Sequence, residues 1–341
     1  MKNIYGETHQ QLEQYFLDLG EKKFKATQVF EWLYEKRIRS FDDMSNVKKT
    51  VIDSLKKDFV MQPLQIMDVL TDVDVQKYLF QLSDGEKVEA VLMKHDYGNS
   101  ICVSTQVGCN MGCKFCESGR LKKRRNLETY EMVLQLLMVE EQLKERISHV
   151  VLMGIGEPFD NYDNVMHFID IINHPKGMAI GARHITISTC GVIPKIEDFM
   201  KEKRQVNLAI SLHAPNDDLR NQLMPINKAY PLTKLIPVLK EYVDETHRRL
   251  TFEYIMLKGV NDQKKHALEL AHLLRGINCY VNLIPYNETS HIEYAKSSKE
   301  QILTFYDTLK KEHINVTIRR EFGSKVMAAC GQLRSHYEEG K

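Results

Sequence analysis

The sequence predicts an α/β protein built around parallel strands, and two observations support this. After residue 100, apolar runs of strand length alternate with amphipathic segments of helix length. Before residue 100, helical periodicity gives way to a hairpin pattern. The alternation fits an open doubly wound sheet or a partial barrel, and both place functional groups at the carboxyl ends of the strands.

The N-terminal segment, residues 1–62, is predicted to be a helical accessory domain. "HQQLEQYFLDLG" carries apolar residues at helical spacing and stops at Gly20, and "ATQVFEWLYEKRI" repeats the pattern. Both segments have one apolar side, so we expect them to pack together.

Residues 63–98 are predicted to form a β-hairpin that links this domain to the rest of the chain. Apolar and polar residues alternate on both sides of Asp84-Gly85, a dipeptide that favours tight hairpin turns. The second strand of the hairpin carries Glu89.

Residues 99–341 are predicted to form the catalytic domain. Strand-like and helix-like segments alternate through about six βα units. The strand-like segments are "ICVSTQ", "HVVLMG", "HITIST", "VNLAISLH", "LTFEYIML", "CYVNLIPY" and "NVTIRR".

Composition narrows the class of protein. The chain has 341 residues, 43% of them hydrophobic, and a formal net charge of +1, which argues against a uniformly basic nucleic-acid coat. No apolar run reaches the roughly 18 residues of a membrane span, and no signal peptide is evident, so we expect a cytoplasmic protein. The basic runs, among them "RLKKRR" at 120–125, are solvated faces or RNA contacts.

Cysteine usage points to metal or redox chemistry. The seven cysteines are an odd number in a chain without an export signal, which disfavours a disulfide framework. Cys109, Cys113 and Cys116 follow the first strand at Cys-x3-Cys-x2-Cys spacing. Three thiolates leave one coordination position open on a metal or a four-iron cluster. The alternative, a structural zinc site, needs a fourth ligand that the neighbouring sequence does not offer.

This cysteine spacing after the first strand resembles the signature of the radical S-adenosylmethionine (SAM) superfamily. The resemblance implies a partial (β/α)6 barrel, one 4Fe-4S cluster held by Cys109, Cys113 and Cys116, and SAM bound to the fourth iron. It also implies that an electron from the cluster cleaves SAM to methionine and a 5′-deoxyadenosyl radical.

Further motifs resemble the RlmN/Cfr family of RNA adenine methyltransferases over nearly the whole chain. They follow strand-like runs as "MGIGEP", "ISTCG", "SLH" and "LIPYN". By this resemblance the SAM-binding residues are Gly156, Glu157, Ser188, Ser211, Leu212, His213 and Asn287. Glu117, and Ser324 to Met327 before "AACGQL", depart from the family pattern.

The same resemblance assigns three catalytic residues. One SAM methylates Cys330 on sulfur, and the radical from a second SAM activates that methyl group, so two SAM are used per turnover. The resulting carbon radical adds to the adenine. Glu89 accepts the ring proton, and Cys102 attacks the sulfur and leaves a Cys102–Cys330 disulfide for cellular thiols to reduce.

The implied function is methylation of carbon 2 of an adenosine in 23S ribosomal RNA, with transfer RNA as a further candidate substrate. Flavodoxin or ferredoxin would donate the electron, and we expect a monomer that needs no membrane. The nearest alternative is carbon 8 methylation of the Cfr type, which confers antibiotic resistance, or action on another RNA. Two other classes stay open: a non-catalytic RNA-binding protein with a structural metal, and a radical SAM enzyme for proteins or small molecules.

Overall fold

A ten-stranded sheet runs through the protein, which we describe from a computed structural model over residues 1–289 and 291–319. Its strands lie in the order β14-β13-β12-β11-β10-β9-β6-β5-β4-β3. They are β3 (Gln65–Asp72), β4 (Val75–Gln81), β5 (Lys87–His95), β6 (Gly98–Cys102), β9 (Ile147–Leu152), β10 (Ile185–Thr189), β11 (Asn207–Ser211), β12 (Leu250–Met256), β13 (Cys279–Pro285) and β14 (Val316–Ile318). Two short pairs complete the strands: β1 (Lys2–Asn3) with β2 (Phe59–Val60), and β7 (Gln106–Val107) with β8 (Arg125–Asn126).

The N-terminal segment is helical, as the periodicity predicted. It contains α1 (His9–Asp18), α2 (Phe24–Tyr34) and α3 (Lys49–Asp58). Thr8 caps α1 in a reciprocal capping box: its hydroxyl accepts from the Gln11 N–H, and the Gln11 side chain accepts from the Thr8 N–H. Leu12 and Phe16, four residues apart, place the apolar side of α1 in the core.

Strands β3 to β6 form an antiparallel meander, which contains the predicted hairpin. β4 and β5 pair from Val75↔Met93 to Gln81↔Lys87, and Gly85 in the turn has φ +84°, a conformation that glycine adopts at little cost. The hairpin is part of the larger sheet, because β5 also pairs with β6 and β6 with β9. Glu89 therefore lies on an interior strand.

Strands β6 and β9 to β14 are parallel, which agrees with the partial barrel. Within the described residues β3 and β14 are the edge strands, and β14 corresponds to the strand-like segment "NVTIRR". The connecting helices are α4 (Thr129–Leu143), α5 (Tyr162–Asn173), α6 (Ile193–Lys201), α7 (Asp217–Leu223), α8 (Leu232–Thr246), α9 (Lys264–Leu273) and α10 (Lys299–Lys311).

Alternate residues of each strand face two different environments. On β5, Val88, Ala90 and Leu92 join the main hydrophobic core. The other side, here called the inner face, carries Val91 and Met93, which pack with Cys102. Among the described helices, none is long and apolar enough to cross a membrane.

Candidate active site

Three cysteines of the loop after β7 line one cavity at the carboxyl ends of the parallel strands. Cys109, Cys113 and Cys116 share this cavity with residues that follow β9, β10 and β11. Backbone hydrogen bonds fix the loop, since the Cys109 N–H donates to the Leu121 carbonyl (2.9 Å) and the Lys114 N–H to the Leu223 carbonyl (2.9 Å). The three thiols thus line the same cavity, and their joint role as cluster ligands stays a prediction.

The Cys109 and Cys113 thiols need a nearby cation to become thiolates. Burial raises the pKa of Cys109 to about 12 and holds the pKa of Cys113 well above its usual range, and the Cys116 thiol raises both further. A bound metal reverses this balance because coordination deprotonates a thiol. Three cysteine donors with one open position fit a four-iron cluster whose fourth iron takes an external ligand.

Glu157 lies deep in the same cavity, at the start of the turn after β9. Its Oε1 accepts from the Phe159 N–H (3.0 Å) and its Oε2 from the Cys190 N–H (2.8 Å). Burial raises the pKa of Glu157, while the hydrogen bonds from Cys190 lower it. At Gly156 φ is +110°, and an added Cβ would lie 2.6 Å from the Gln106 side chain, so the turn needs glycine.

Ser188, Ser211 and His213 also line the cavity. The two serine Oγ atoms are 3.4 Å apart. His213 Nδ1 accepts from the Ile255 N–H (3.1 Å), which leaves the proton on Nε2. Burial and then Arg220 lower the pKa of His213 to about 3, so the ring is neutral.

Two predicted SAM-binding residues do not have side chains in the cavity. The Leu212 side chain packs into the main core. Its backbone contacts two residues of the site: the N–H donates to the Glu253 carbonyl, and the carbonyl accepts from Arg220. Asn287 follows β13, is half-buried, and is not among the residues that line the cavity.

Arg220 is a site residue that the sequence reasoning missed. Its buried guanidinium donates to four neutral oxygens: the Leu212 carbonyl (3.2 Å), the Cys190 carbonyl (2.6 Å), the Ser211 carbonyl (3.2 Å) and Asn227 Oδ1 (2.7 Å). It thus ties together the ends of β10 and β11, where Ser188 and Ser211 lie. A lone arginine in "DDLRNQL" gives no local signal of this role.

Cys190 is a second residue of the site that the sequence had not indicated. Its Sγ lies 3.3 Å from Met111 Sδ, and it lines the cavity with the three loop cysteines.

A polar row crosses the inner face, and two of its members, Ser211 and Glu253, line the cavity. Ser211, Glu253, Asn282 and Thr317 occupy the same register level on β11 to β14. Asn282 Nδ2 donates to Glu253 Oε1 (3.0 Å), and Thr317 donates to Asn282 Oδ1 (2.6 Å). Burial raises the pKa of Glu253. Single polar residues in four separate strands had not indicated such a row.

Cys102 and Glu89 lie on the inner face but outside the cluster cavity. Cys102 is opposite Val91 of β5 and Val151 of β9. Glu89 is completely buried, and Lys77 Nζ lies 3.2 Å from its Oε1. Cys330 lies outside the described residues, as do Ser324 to Met327, and no disulfide joins any two of the six cysteines within them.

Most of the basic run 120–125 is engaged in intramolecular ion pairs. Arg120 pairs with Glu117 (2.8 Å), the buried carboxylate that departs from the family pattern. Lys123 lies 3.7 Å from Asp160, and Arg125 contacts both Asp84 and Glu131. Within the described residues, these ion pairs partly neutralise the positive charge of the run.

Comparison with known proteins agrees with the geometry of the site. The sequence model described as "Radical SAM superfamily" matches residues 103–271, and that described as "Ribosomal RNA large subunit methyltransferase N-terminal domain" matches residues 2–61. A protein of Listeria welshimeri is 58% identical over 98% of this chain and 93% of its own, and one of Spiroplasma citri is 54% identical over 99% of both. Each is described as "Probable dual-specificity RNA methyltransferase RlmN". A crystal structure of a radical SAM methyltransferase from Sphaerobacter thermophilus superposes with a TM-score of 0.92, at 40% identity, over 98% of this chain and 99% of that one.

Proposed function

The chain belongs to the RlmN family of radical SAM RNA methyltransferases, and we propose that it methylates carbon 2 of an adenosine in 23S ribosomal RNA and in transfer RNA. The observation that carries the proposal is the cavity that brings Cys109, Cys113 and Cys116 together with Glu157. Acidic and hydroxyl side chains beside an open metal position suit a ligand with an ammonium, a carboxylate and a ribose.

When bound, the cluster and SAM supply a one-electron cleavage that yields methionine and a 5′-deoxyadenosyl radical. In the proposal, the three cysteines hold the cluster. Glu157 attracts the SAM ammonium through its carboxylate, and the Ser188 and Ser211 hydroxyls offer hydrogen bonds to the polar groups of SAM. His213 is neutral and adds no positive charge that would repel the SAM sulfonium.

Two further cysteines and one carboxylate act on the RNA in this proposal. An unactivated ring carbon is a poor nucleophile, so the methyl group is first placed on the Cys330 sulfur. The 5′-deoxyadenosyl radical then takes one hydrogen atom from that methyl group, and the resulting carbon radical adds to the base. The adduct would return one electron to the oxidised cluster. Glu89 accepts the ring proton. Cys102 attacks the Cys330 sulfur as a thiolate, so that an S–S bond forms as the S–C bond to the RNA breaks. The released carbon keeps the bonding electron pair and takes up a proton to become the methyl group. One SAM is used for each of the two tasks.

The proposal includes the cellular setting. The enzyme acts as a cytoplasmic monomer and receives its electron from flavodoxin or ferredoxin. The helical domain, residues 1–62, contributes to RNA binding, and residues 99–341 carry the chemistry. Reducing thiols of the cytosol reopen the Cys102–Cys330 disulfide after each turnover.

The test is nucleoside analysis of RNA after reaction with anaerobically reconstituted enzyme, SAM and a reductant. We expect 2-methyladenosine, with one S-adenosylhomocysteine and one 5′-deoxyadenosine for each methyl group transferred. Cys330→Ala should give no RNA adduct, whereas Cys102→Ala should accumulate a covalent adduct. Cys279→Ala is the matched control, because Cys279 is a buried thiol in the main core.

Three outcomes would contradict the proposal. If 8-methyladenosine were the only product, the carbon assignment would be wrong. If zinc bound in stoichiometric amount and iron gave no activity, the cluster assignment would be wrong. Normal turnover by Cys102→Ala would remove its role in product release.

A further inference from the structure

A buried ion pair on the inner face joins two neighbouring strands. Lys77 on β4 is 2% exposed and Glu89 on β5 is 0% exposed, and the Lys77 Nζ to Glu89 Oε1 distance is 3.2 Å. Lys77 is opposite Val91 and Leu79 is opposite Glu89, so the two charged residues are diagonal neighbours across the ladder. Such neighbours on one face are within reach of long side chains.

Apolar side chains lie on the same face as the pair. Val75, Val91, Met93 and Cys102 form a small hydrophobic cluster on the same face. An isolated carboxylate in such a place would take up a proton, because burial without a counter-charge disfavours the ionised form. Replacing a buried ion pair with apolar residues is often neutral or stabilising, so stability alone does not account for two buried charges here.

We propose that Lys77 is a positioning residue for catalysis, which holds Glu89 as an ionised carboxylate on the face that carries Cys102. The inference rests on the role of Glu89 in the proposed function. In the step concerned, the C–H bond of the modified ring carbon breaks, its electron pair stays with the ring, and the proton bonds to a Glu89 oxygen. Only the ionised carboxylate can accept that proton, and Lys77 Nζ lies 3.2 Å from one of its oxygens.

The Ser104 hydroxyl links the main chain of Glu89 to the turn after β9. The Ser104 hydroxyl donates to the Glu89 carbonyl (2.6 Å) and accepts from the Ile155 N–H (3.0 Å). Ile155 precedes Gly156 and Glu157, and packs with Cys102 on the inner face. One hydroxyl thus links the strand of the proton acceptor to the turn that we assign to SAM.

The experiment compares full-length reconstituted variants in three measurements: 5′-deoxyadenosine formed, covalent protein–RNA adduct, and methyladenosine released. For Lys77→Met we expect normal 5′-deoxyadenosine, adduct accumulation, and a fall of about 100-fold in product release, as for Glu89→Gln. Lys77→Arg keeps the positive charge and should restore release to within about tenfold of the native enzyme. Lys94→Met is the matched control, since Lys94 lies on β5 on the side opposite to Glu89.

The double variant Lys77→Met/Glu89→Gln decides the matter even if Lys77→Met alone folds poorly, because it removes both charges of this pair. If Lys77 acts through Glu89, the double variant should release product as slowly as Glu89→Gln alone, and no slower. A further loss of tenfold or more, or loss of adduct formation, would show that Lys77 acts elsewhere. Normal release by Lys77→Met with slow release by Glu89→Gln would overturn this inference alone. Normal release by Glu89→Gln would instead remove the proposed role of Glu89 itself.

Discussion

Replacing Arg220 tests whether one buried guanidinium holds together the ends of the two strands that carry Ser188 and Ser211. Arg220→Met keeps much of the side-chain volume but removes hydrogen bonds to three backbone carbonyls and to Asn227. The carbonyls of Cys190, Ser211 and Leu212 follow or end β10 and β11, so they lose the group that ties these strand ends together.

The magnitude follows from the contacts. Hydrogen bonds to a charged group contribute about 1.5 to 3 kcal/mol each, and a buried acceptor left unsatisfied costs about 1 to 3 kcal/mol. The sum over four such bonds exceeds the losses in stability observed for single substitutions. The net loss is smaller than this sum because the variant also avoids the cost of burying a charge. We therefore expect a net loss of about 4 kcal/mol, within the range of severe buried-network substitutions.

Thermal unfolding provides the assay. The entropy of unfolding for 341 residues is about 0.7 kcal/mol per kelvin, so 4 kcal/mol lowers Tm by about 6 °C. SAM binding to the reconstituted protein should weaken as well, since Ser188 and Ser211 lie on the loosened strands. Arg275→Met is the control, because Arg275 is exposed after α9. A Tm of Arg220→Met within 1 °C of that of the control would refute the reasoning.

Three further predictions follow from the site. His213 has a pKa of about 3 in the fold against an ordinary 6.5, so below pH 6.5 the unfolded chain binds a proton that the fold does not. Lowering the pH from 7 to 5 should therefore destabilise the native protein by about 2 kcal/mol more than His213→Asn in urea unfolding, and equal losses would contradict this. An added Cβ at Gly119 would lie 2.7 Å from the Cys113 carbonyl, whereas nothing lies within 4 Å of an added Cβ at Gly181. Gly119→Ala should therefore retain less iron on reconstitution than the control Gly181→Ala. Equal iron contents would count against a tightly packed loop. Lys122 is exposed, whereas Arg125 binds the buried Glu131. Lys122→Ala should therefore lower the salt dependence of RNA binding by about one counterion. Arg125→Ala should mainly lower Tm. An unchanged salt dependence in Lys122→Ala would exclude a phosphate contact there.

The parts of the fold that depend on local patterns were predictable from the sequence. The helical segment, the turn at Asp84-Gly85 and the alternation of strands and helices depend on periodicity and turn chemistry within about ten residues. The cysteine loop was predictable for the same reason, since all three cysteines lie within eight positions.

The parts that depend on distant partners were not predictable. Arg220 reaches the Cys190 carbonyl across 30 residues of sequence, and Ser104 reaches Glu89 across 15. The basic run looked available for RNA because its partners Asp84 and Glu86 lie about 40 residues upstream, across the hairpin turn. Charge counted along a chain does not reveal such neutralisation.

The continuous hydrogen-bonded ladder from β5 through β6 to β9 fixes the positions of two residues that we assign to catalysis. Cys102 ends β6 and Glu89 lies within β5, so neither residue is carried on a loop that must close over the substrate. Backbone pairing of the two strands sets the spacing between Glu89 and Cys102. In the proposed mechanism, the proton acceptor and the resolving thiol are therefore aligned with each other before the substrate binds.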